Sequence, residues 1–281
     1  MRIDKVMDHL SHMVFALFVV VWAFIGGIIV WGSWRFTRHH GFLAPILSSR
    51  WNPLAGQFGL APFILSSLIV TLLAVIMALP WSLGLSVLGA RILQGTWRRY
   101  FVRFLTVFVS VPSVLYGWWG LSVIVPWIRL VTGSSGYGML AASLVVALMI
   151  LPTFSILSLE ALRHVPESYV EGSVGLGATE DQTLWHIILP TARPRLAQAA
   201  LIAVARGLGE TIAVQMVIGG QFGGLGLLHP SATLTTQLLT DLPLLSPGVA
   251  GHHVLDFMAL LLMFVMTIIV GIEMRIGERS L

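Results

Sequence analysis

The sequence predicts an all-α membrane protein with about six transmembrane helices. Of its 281 residues, 57% are hydrophobic and only 10% are charged, a balance that no ordinary soluble domain has. Apolar runs long enough to cross a bilayer recur along the whole chain. Because cysteine is absent, neither disulfides nor thiolate metal sites are available. We expect one transmembrane domain over residues 1–281, with no separate soluble domain.

Six apolar runs define the predicted spans. The first has no convincing small-residue cleavage site, so we expect a retained helix rather than a removed signal peptide. The second contains Pro80, which predicts a tilt, a kink or an early end. In chain order the runs are Met13–Gly32, Leu60–Gly89, Phe101–Val125, Met139–Leu159, Leu196–Gly220 and Val254–Gly271.

An even number of spans places both termini on the same side of the membrane. If that side is the cytoplasm, most Lys and Arg residues lie in cytoplasmic segments, as the positive-inside rule requires. The basic residues left outside are Arg35, Arg38, Arg50 and Arg129. The two long outer segments are Ser33–Gly59 and Gly220–His253. Periodicity leaves open whether the second one contains a re-entrant segment or a short helix.

Two charged residues, Arg206 and Glu210, interrupt the fifth apolar run. At about 1.5 Å per residue, Arg206 lies roughly 15 Å from the start of that run, near the middle of a hydrocarbon core about 30 Å thick. Charge is costly at that depth and is rarely retained without a use. The i,i+4 spacing places both side chains on one helix face, where they can pair. The pair indicates either a structural ion pair or a binding or gating element on the path of a charged solute.

The most polar part of the chain, Glu160–Arg195, lies between the fourth and fifth runs. Pro166 is typical of a helix start, and the glycines that follow, up to Gly177, end that helix. Thr179 is suited to cap a second short helix, whose continuation Pro190 limits. Two short helices around a Gly-rich turn can dock in the groove of a partner, and a plain amphipathic connector is the alternative.

The residues from Glu171 to Gly177, followed after nine residues by Ile187-Ile-Leu-Pro, resemble the EAA coupling loop of binding-protein-dependent ABC permeases. Gly172 and Ser173 replace the two alanines of that pattern. The resemblance implies the permease fold of type I ABC importers, a core permease region at about 58–275 and a coupling loop at about 163–195. It also implies that an ATP-binding subunit grips this loop. The positions in register are Glu171, Gly177, Ile187, Leu189 and Pro190.

Further segments are similar to high-affinity phosphate permeases of the PstC type. They are Val111–Leu121, Gly136–Leu144, Met149–Pro152 and Ala205–Val214. The resemblance implies inorganic phosphate as substrate and import as direction. It also implies a PstA-like second permease subunit, two PstB-like ATP-binding subunits, a PstS-like phosphate-binding protein and a regulatory protein, all at a bacterial inner membrane. No nucleic acid is implied.

Chemistry supports an anion path in these segments. Arg206 can offer a two-pronged fork to phosphate oxygens, and the hydroxyls of Ser113, Tyr116 and Thr211 can donate hydrogen bonds. Glu210 repels a dianion and competes for the guanidinium. It could hold Arg206 in one access state and release it in another, or accept a proton from monobasic phosphate.

Small residues in the same segments fit close packing. Gly117 and Gly120, like Gly207 and Gly209 of the fifth run, permit close approach between helices. Three alternative functions remain at this stage. The chain could serve another oxyanion (sulfate, molybdate or phosphonate), act mainly as a regulatory phosphate-sensing subunit, or be a secondary transporter without an ATPase.

Neither a cofactor nor a metal is expected on this chain. The phosphate-binding pattern G-x-x-x-x-G-K-[ST] is missing, and Lys5 is the sole lysine, so ATP and Mg²⁺ would be used by the partner ATPase. His252 and His253 form an isolated pair, and a metal site needs more ligands. We therefore expect a transport subunit rather than an enzyme.

Overall fold

The computed structural model describes residues 2–221, 226–245 and 251–278, and this part of the chain is almost entirely helical. Its helices are α1 (Arg2–His40), α2 (Leu43–Leu47), α3 (Ala61–Val87), α4 (Gly95–Ser110), α5 (Ser113–Trp119), α6 (Val125–Thr132), α7 (Met139–Arg163), α8 (Glu167–Gly175), α9 (Glu180–Thr183), α10 (Leu189–Gly209), α11 (Ile212–Ile218), α12 (Leu234–Asp241) and α13 (His253–Glu278). Turns of π-helix follow α3, join α5 to α6 and join α9 to α10; they are Leu88–Ile92, Gly120–Ile124 and Leu184–Ile188.

Six helical stretches within the described residues are long and apolar enough to cross a membrane, which confirms the predicted number. They are Leu10–His40, Ala61–Ile92, Ser113–Thr132, Met139–Arg163, Glu180–Gly209 and His253–Gly277. The second stretch runs through Pro80 without ending there. Membrane helices tolerate proline where neighbouring groups satisfy the freed backbone.

The third predicted span, Phe101–Val125, is wrong as one continuous helix. The chain breaks at Val111–Pro112, where Val111 is extended, with φ −65° and ψ 126°. Proline disfavours a helical conformation in the residue before it, which explains why the break falls here. The part before the break is α4, a separate helix, and the spanning stretch begins only at Ser113.

The fifth predicted span, Leu196–Gly220, is wrong at both ends. Helical structure begins earlier, at Glu180, and passes through the π-helical turn into α10. Pro190 does not stop it, because it lies just after the π-helical turn Leu184–Ile188, where the regular hydrogen-bond pattern of the α-helix is already interrupted. At the other end, α10 stops at Gly209, and Glu210 has an extended backbone with ψ 122°.

The chain divides into two compact units. One unit comprises residues 1–61 and 240–264 and contains α1, α2 and a small hairpin. In the hairpin, β1 (Trp51–Asn52) pairs antiparallel with β2 (Gln57–Phe58). Phe36 of α1 packs against Phe58 and Phe257, with ring centroids 5.3 and 5.2 Å apart. The predicted outer loop Ser33–Gly59 is therefore largely ordered as helix and hairpin.

The other unit comprises residues 62–239 and 265–281, and α7 is its core. Helix α7 packs against α4, α10 and α11 and is buried on several faces. This explains why its sequence reads as an almost unbroken apolar run rather than an amphipathic one. Its fully buried side chains include Met139, Val146 and Ile150.

Close packing between α5 and its neighbours depends on two glycines. A Cβ at Gly117 would lie 2.8 Å from Ala213 Cα on α11, and a Cβ at Gly120 would overlap Val145 on α7. Real side chains do not make such contacts, so these positions exclude any larger residue without a shift of the backbone. The prediction that both glycines permit close helix approach is confirmed.

Candidate functional site

Arg206 lies in the last turn of α10 with a half-buried side chain. Its Nη1 donates a hydrogen bond of 2.7 Å to Oγ1 of Thr153 on α7. Among the described residues, no carboxylate oxygen lies within 4.0 Å of the guanidinium, and Thr153 is its only hydrogen-bond acceptor. A guanidinium carries several N–H donors in a planar fork. Donors are therefore left over for a further acceptor.

The turn that presents Thr153 is shaped by Pro152. Proline has no N–H, so one backbone hydrogen bond of α7 is missing here. Nearby, the carbonyl of Leu151 accepts hydrogen bonds from two hydroxyls, Ser82 Oγ on α3 at 3.1 Å and Ser155 Oγ at 2.8 Å. Hydroxyls commonly stabilise the backbone around proline in membrane helices. They fix the turn that holds the partner of Arg206.

Glu210 does not pair with Arg206. Because α10 ends at Gly209, the two side chains do not share a helix face, and the predicted i,i+4 pairing is wrong. The Glu210 carboxylate instead accepts a hydrogen bond of 3.2 Å from the N–H of Ala213, at the start of α11. A carboxylate at a helix N-terminus also interacts favourably with the helix dipole. Glu210 therefore caps α11 in this conformation.

Among the described residues, none of the other predicted pathway hydroxyls is hydrogen-bonded to Arg206. Tyr116 Oη donates to the Phe108 carbonyl at 2.8 Å. Thr211 Oγ1 donates to the Gly209 carbonyl at 3.3 Å, inside the break between α10 and α11. Within the described part of the chain, the half-buried Ser113 hydroxyl has no hydrogen-bond partner.

A cluster of buried hydroxyls next to the break was not predicted. Ser66 on α3 shares a hydrogen bond of 2.9 Å with Ser231, and Ser67 Oγ accepts one of 2.9 Å from the N–H of Leu234. Thr235 Oγ1 donates to the Glu210 carbonyl at 3.2 Å. The segment before and within α12 is therefore fastened to α3 and to the break. The Ser/Thr-rich sequence at 231–236 is the signal that could have found it.

The polar loop between α7 and α10 forms one short helix, α8, as predicted, but the predicted second short helix is wrong, because α9 continues through the π-helical turn into α10. Gly177 lies in the turn between α8 and α9 with φ +85°, in the left-handed region that favours glycine. Thr179 caps α9 in a reciprocal arrangement with Gln182: Gln182 N donates to Thr179 Oγ1 at 3.3 Å, and Thr179 N donates to Gln182 Oε1 at 2.9 Å. Sequence alone therefore located both the turn and the cap.

The residues of the coupling-loop pattern divide into two groups. Glu171 and Gly177 are exposed, whereas Ile187, Leu189 and Pro190 are half-buried at the root of the loop. Large apolar side chains also point outward from the loop, and Leu176 beside the turn is 92% exposed. Exposed apolar side chains at the tip of a polar loop are typical of a protein contact surface rather than of a loop that only connects two helices.

Comparison with known proteins shows which family and which solved structures share this architecture. The family described as "Binding-protein-dependent transport system inner membrane component" matches residues 82–281. Two structures of the MetNI methionine ABC transporter, described as inward-facing conformations, share the fold. Their TM-scores are 0.59 and 0.61 at 20% and 21% identity, and they cover 77% and 79% of this chain and 93% and 96% of theirs.

Curated relatives are permeases as well. A probable ABC transporter permease protein, YqgH of Bacillus subtilis, is 37% identical over 177 residues, which is 62% of this chain but only 57% of that relative. The phosphate transport system permease protein PstC of Pasteurella multocida is 28% identical over 95% of this chain and 90% of its own length. PstC of Mesorhizobium japonicum is 25% identical over 90% of this chain and 84% of its own.

The fold and the loop define a permease subunit of an ABC importer. The chain belongs to the family of binding-protein-dependent transport system inner membrane components. It is therefore a multi-pass inner-membrane transport subunit and not an enzyme, and members of this family bind no cofactor themselves. ABC importer permeases act together with ATP-binding subunits and a binding protein. Membership excludes the alternative of a secondary transporter.

Proposed function

We propose that this chain is the PstC-type permease subunit of an ATP-driven importer for inorganic phosphate. The observation that carries the proposal is the guanidinium of Arg206, whose remaining donors have no described protein partner and lie beside the Thr153 hydroxyl. A planar guanidinium binds phosphate oxygens through paired hydrogen bonds. The similarity to PstC proteins over most of the chain supports phosphate as the anion.

In this proposal Arg206 contacts the anion directly, and Thr153 keeps the guanidinium in position when the site is empty. The free hydroxyl of Ser113 is available as a further donor, whereas Tyr116 must leave the Phe108 carbonyl before its hydroxyl can donate to an anion. Thr211 lies at the break, where a change in backbone would move it. Glu210 caps α11 and so links the position of that helix to the end of α10.

Transport would be driven through the loop at about 163–195. A PstB-like ATP-binding subunit would hold the exposed face around Leu176 and Glu171, and ATP-driven closure would move α7 and α10, to which the loop is joined. A PstA-like subunit would complete the pathway, and a second PstB-like subunit would bind that PstA-like subunit. A PstS-like protein would deliver phosphate. The whole of 1–281 would act as one permease, with both termini in the cytoplasm, as the excess of cytoplasmic Lys and Arg favours.

Uptake by the reconstituted transporter tests the substrate. Proteoliposomes containing the complete transporter and its binding protein are loaded with ATP, and uptake of labelled phosphate is measured against excess sulfate, molybdate or phosphonate. We expect ATP-dependent phosphate uptake that unlabelled phosphate abolishes and the other anions leave largely intact. Sulfate uptake that phosphate does not inhibit would refute phosphate as the substrate while leaving the permease role in place.

A further inference from the structure

An apolar groove of about 460 Å³ lies between α4, α5 and α7, and it reaches Tyr116 and Pro152, close to the region around Arg206. Its walls include Phe101, Leu105 and Phe108 of α4, Leu115 and Trp119 of α5, and Leu148 of α7. The volume falls within the range of about 300–1,000 Å³ that is usual for ligand sites. Leu148 is exposed here although α7 is otherwise the most buried span. The groove is therefore open at the depth of the membrane.

One end of the groove is strongly basic. Arg98 precedes Phe101 by three residues and Leu105 by seven, so it continues the stripe of α4 that lines the groove. Arg99 and Arg103 are exposed nearby on the same helix. This end of α4 lies on the coupling-loop side of its unit, because a Cβ at Gly89 would touch both Phe101 and Leu159 near the end of α7.

No acidic side chain of this region balances the positive charge. The sequence has no Asp or Glu between residues 9 and 159, so α3, α4, α5 and the part of α7 that lines the groove carry none. The nearest acid along α7, Glu160, lies 3.9 Å from Arg163. Arg91 makes one bond of 3.4 Å to the Leu162 carbonyl, and its buried Nε has no partner among the described residues. These arginines are therefore available to contact an anion from outside the chain.

We propose that this groove binds an anionic phospholipid from the leaflet on the coupling-loop side. One acyl chain lies along Phe101, Leu105 and Phe108, and the phosphate contacts Arg98, while Arg99 and Arg103, on the other face of α4, add to the positive charge at this end. Trp97 and Tyr100, both exposed on the same turns, lie at the depth where aromatic side chains meet lipid headgroups. This site borders the proposed phosphate path at Tyr116, but its ligand is not transported.

A helix of a companion permease subunit is the other occupant that an apolar groove could take. The charge distribution favours lipid, because a spanning helix brings apolar side chains but no phosphate to the arginines. Anionic lipid attracts each Lys or Arg near the surface by about 1 kcal/mol, so three arginines account for roughly a hundredfold preference over zwitterionic lipid.

Native mass spectrometry of the assembled transporter in mild detergent tests the proposal. The probes are phosphatidylglycerol and phosphatidylcholine with identical acyl chains, added in equal amounts. The unmodified transporter should retain phosphatidylglycerol preferentially, and the triple variant R98Q/R99Q/R103Q should bind it roughly 100-fold more weakly. The control Arg129→Gln changes a basic residue of α6, beside the start of α7, and should leave retention unchanged.

A second pair of variants tests the groove itself. Leu148→Trp fills the groove and should displace the lipid, whereas Leu130→Trp enlarges a more exposed leucine of α6, outside the groove, and should not. Equal retention of both lipids, or unchanged retention in the triple variant, would overturn the proposal. Loss of a companion permease subunit from the Leu148→Trp transporter, with lipid retention unchanged, would show that protein covers the groove and would overturn it too.

Discussion

A hydrogen bond of 2.7 Å from Arg206 Nη1 to Thr153 Oγ1 joins α10 to α7 next to the point where α10 ends. The coupling loop connects the C-terminal end of α7 to the helix that leads into the N-terminal end of α10. A movement of the loop that changes the relative position of α7 and α10 would therefore make or break this bond. In the proposed mechanism, this bond would link ATP-driven motion of the loop to the residue that we propose to contact the substrate.

Thr153→Val removes the acceptor and preserves the shape of the side chain. A hydrogen bond to a charged group contributes about 1.5–3 kcal/mol, so we expect the KM for phosphate to rise by roughly tenfold or more. Thr153→Ser keeps the hydroxyl and should behave like the unmodified chain. The measurement is uptake kinetics in proteoliposomes, with subunit composition as the check on assembly. Equal kinetics for the valine and serine variants would count against the role of the bond.

Glu210→Gln and Glu210→Ala separate capping from charge. Glutamine retains an oxygen that can accept from Ala213 N–H, so thermal stability and uptake should stay close to those of the unmodified chain. Alanine removes the cap of α11 and should destabilise the protein by about 1 kcal/mol. Thermal unfolding of the purified transporter measures the stability of both variants, and uptake in proteoliposomes measures their activity. A glutamine variant that is stable but inactive would instead assign Glu210 a role through its charge.

Gly177→Ala places a side chain where φ is +85°, which costs about 1–2 kcal/mol although nothing lies within 4 Å of the added Cβ. We expect the turn to distort and less ATP-binding subunit to co-purify. Gly175→Ala is the matched control: this glycine ends α8, also has open space around it, and has no positive φ. Equal co-purification for both variants would argue against a precise turn conformation in docking.

Leu176→Ser tests the contact surface on the loop. Leu176 is 92% exposed, so its replacement should not destabilise this chain, yet it should weaken the hold of the ATP-binding subunit if that subunit buries it. Leu130 of α6 is 85% exposed, and Leu130→Ser provides the control. Co-purification of the ATP-binding subunit is the measurement. Undiminished co-purification with Leu176→Ser would show that the partner contacts another face.

The six spans could be predicted because crossing a membrane requires a length of apolar sequence that hydropathy detects directly. The coupling loop could be predicted because Gly177 and Thr179 act locally, through one backbone angle and one cap. The breaks after Ser110 and Gly209 escaped prediction, because hydropathy does not register a change of backbone conformation, although Pro112 is a local signal for the first break.

Thr153 escaped prediction for a different reason. A threonine in an apolar span is compatible with a hydrogen bond to its own helix, and nothing in the sequence indicates that α10 will bring Arg206 to it. The hairpin at Trp51–Phe58 and helix α12 are likewise short and depend on contacts distant in sequence, such as the bond from Leu234 N–H to Ser67. Patterns within one segment do not specify such contacts.

The most direct test of the account is phosphate uptake by proteoliposomes containing Arg206→Ala, with ATP hydrolysis measured in the same vesicles. The account predicts that uptake is abolished while the subunits assemble and the ATP-binding subunits still hydrolyse ATP. Arg206→Lys keeps the charge without the planar fork and should restore only part of the uptake. Uptake at the unmodified rate by the alanine variant would contradict the account, because the anion would then cross without Arg206.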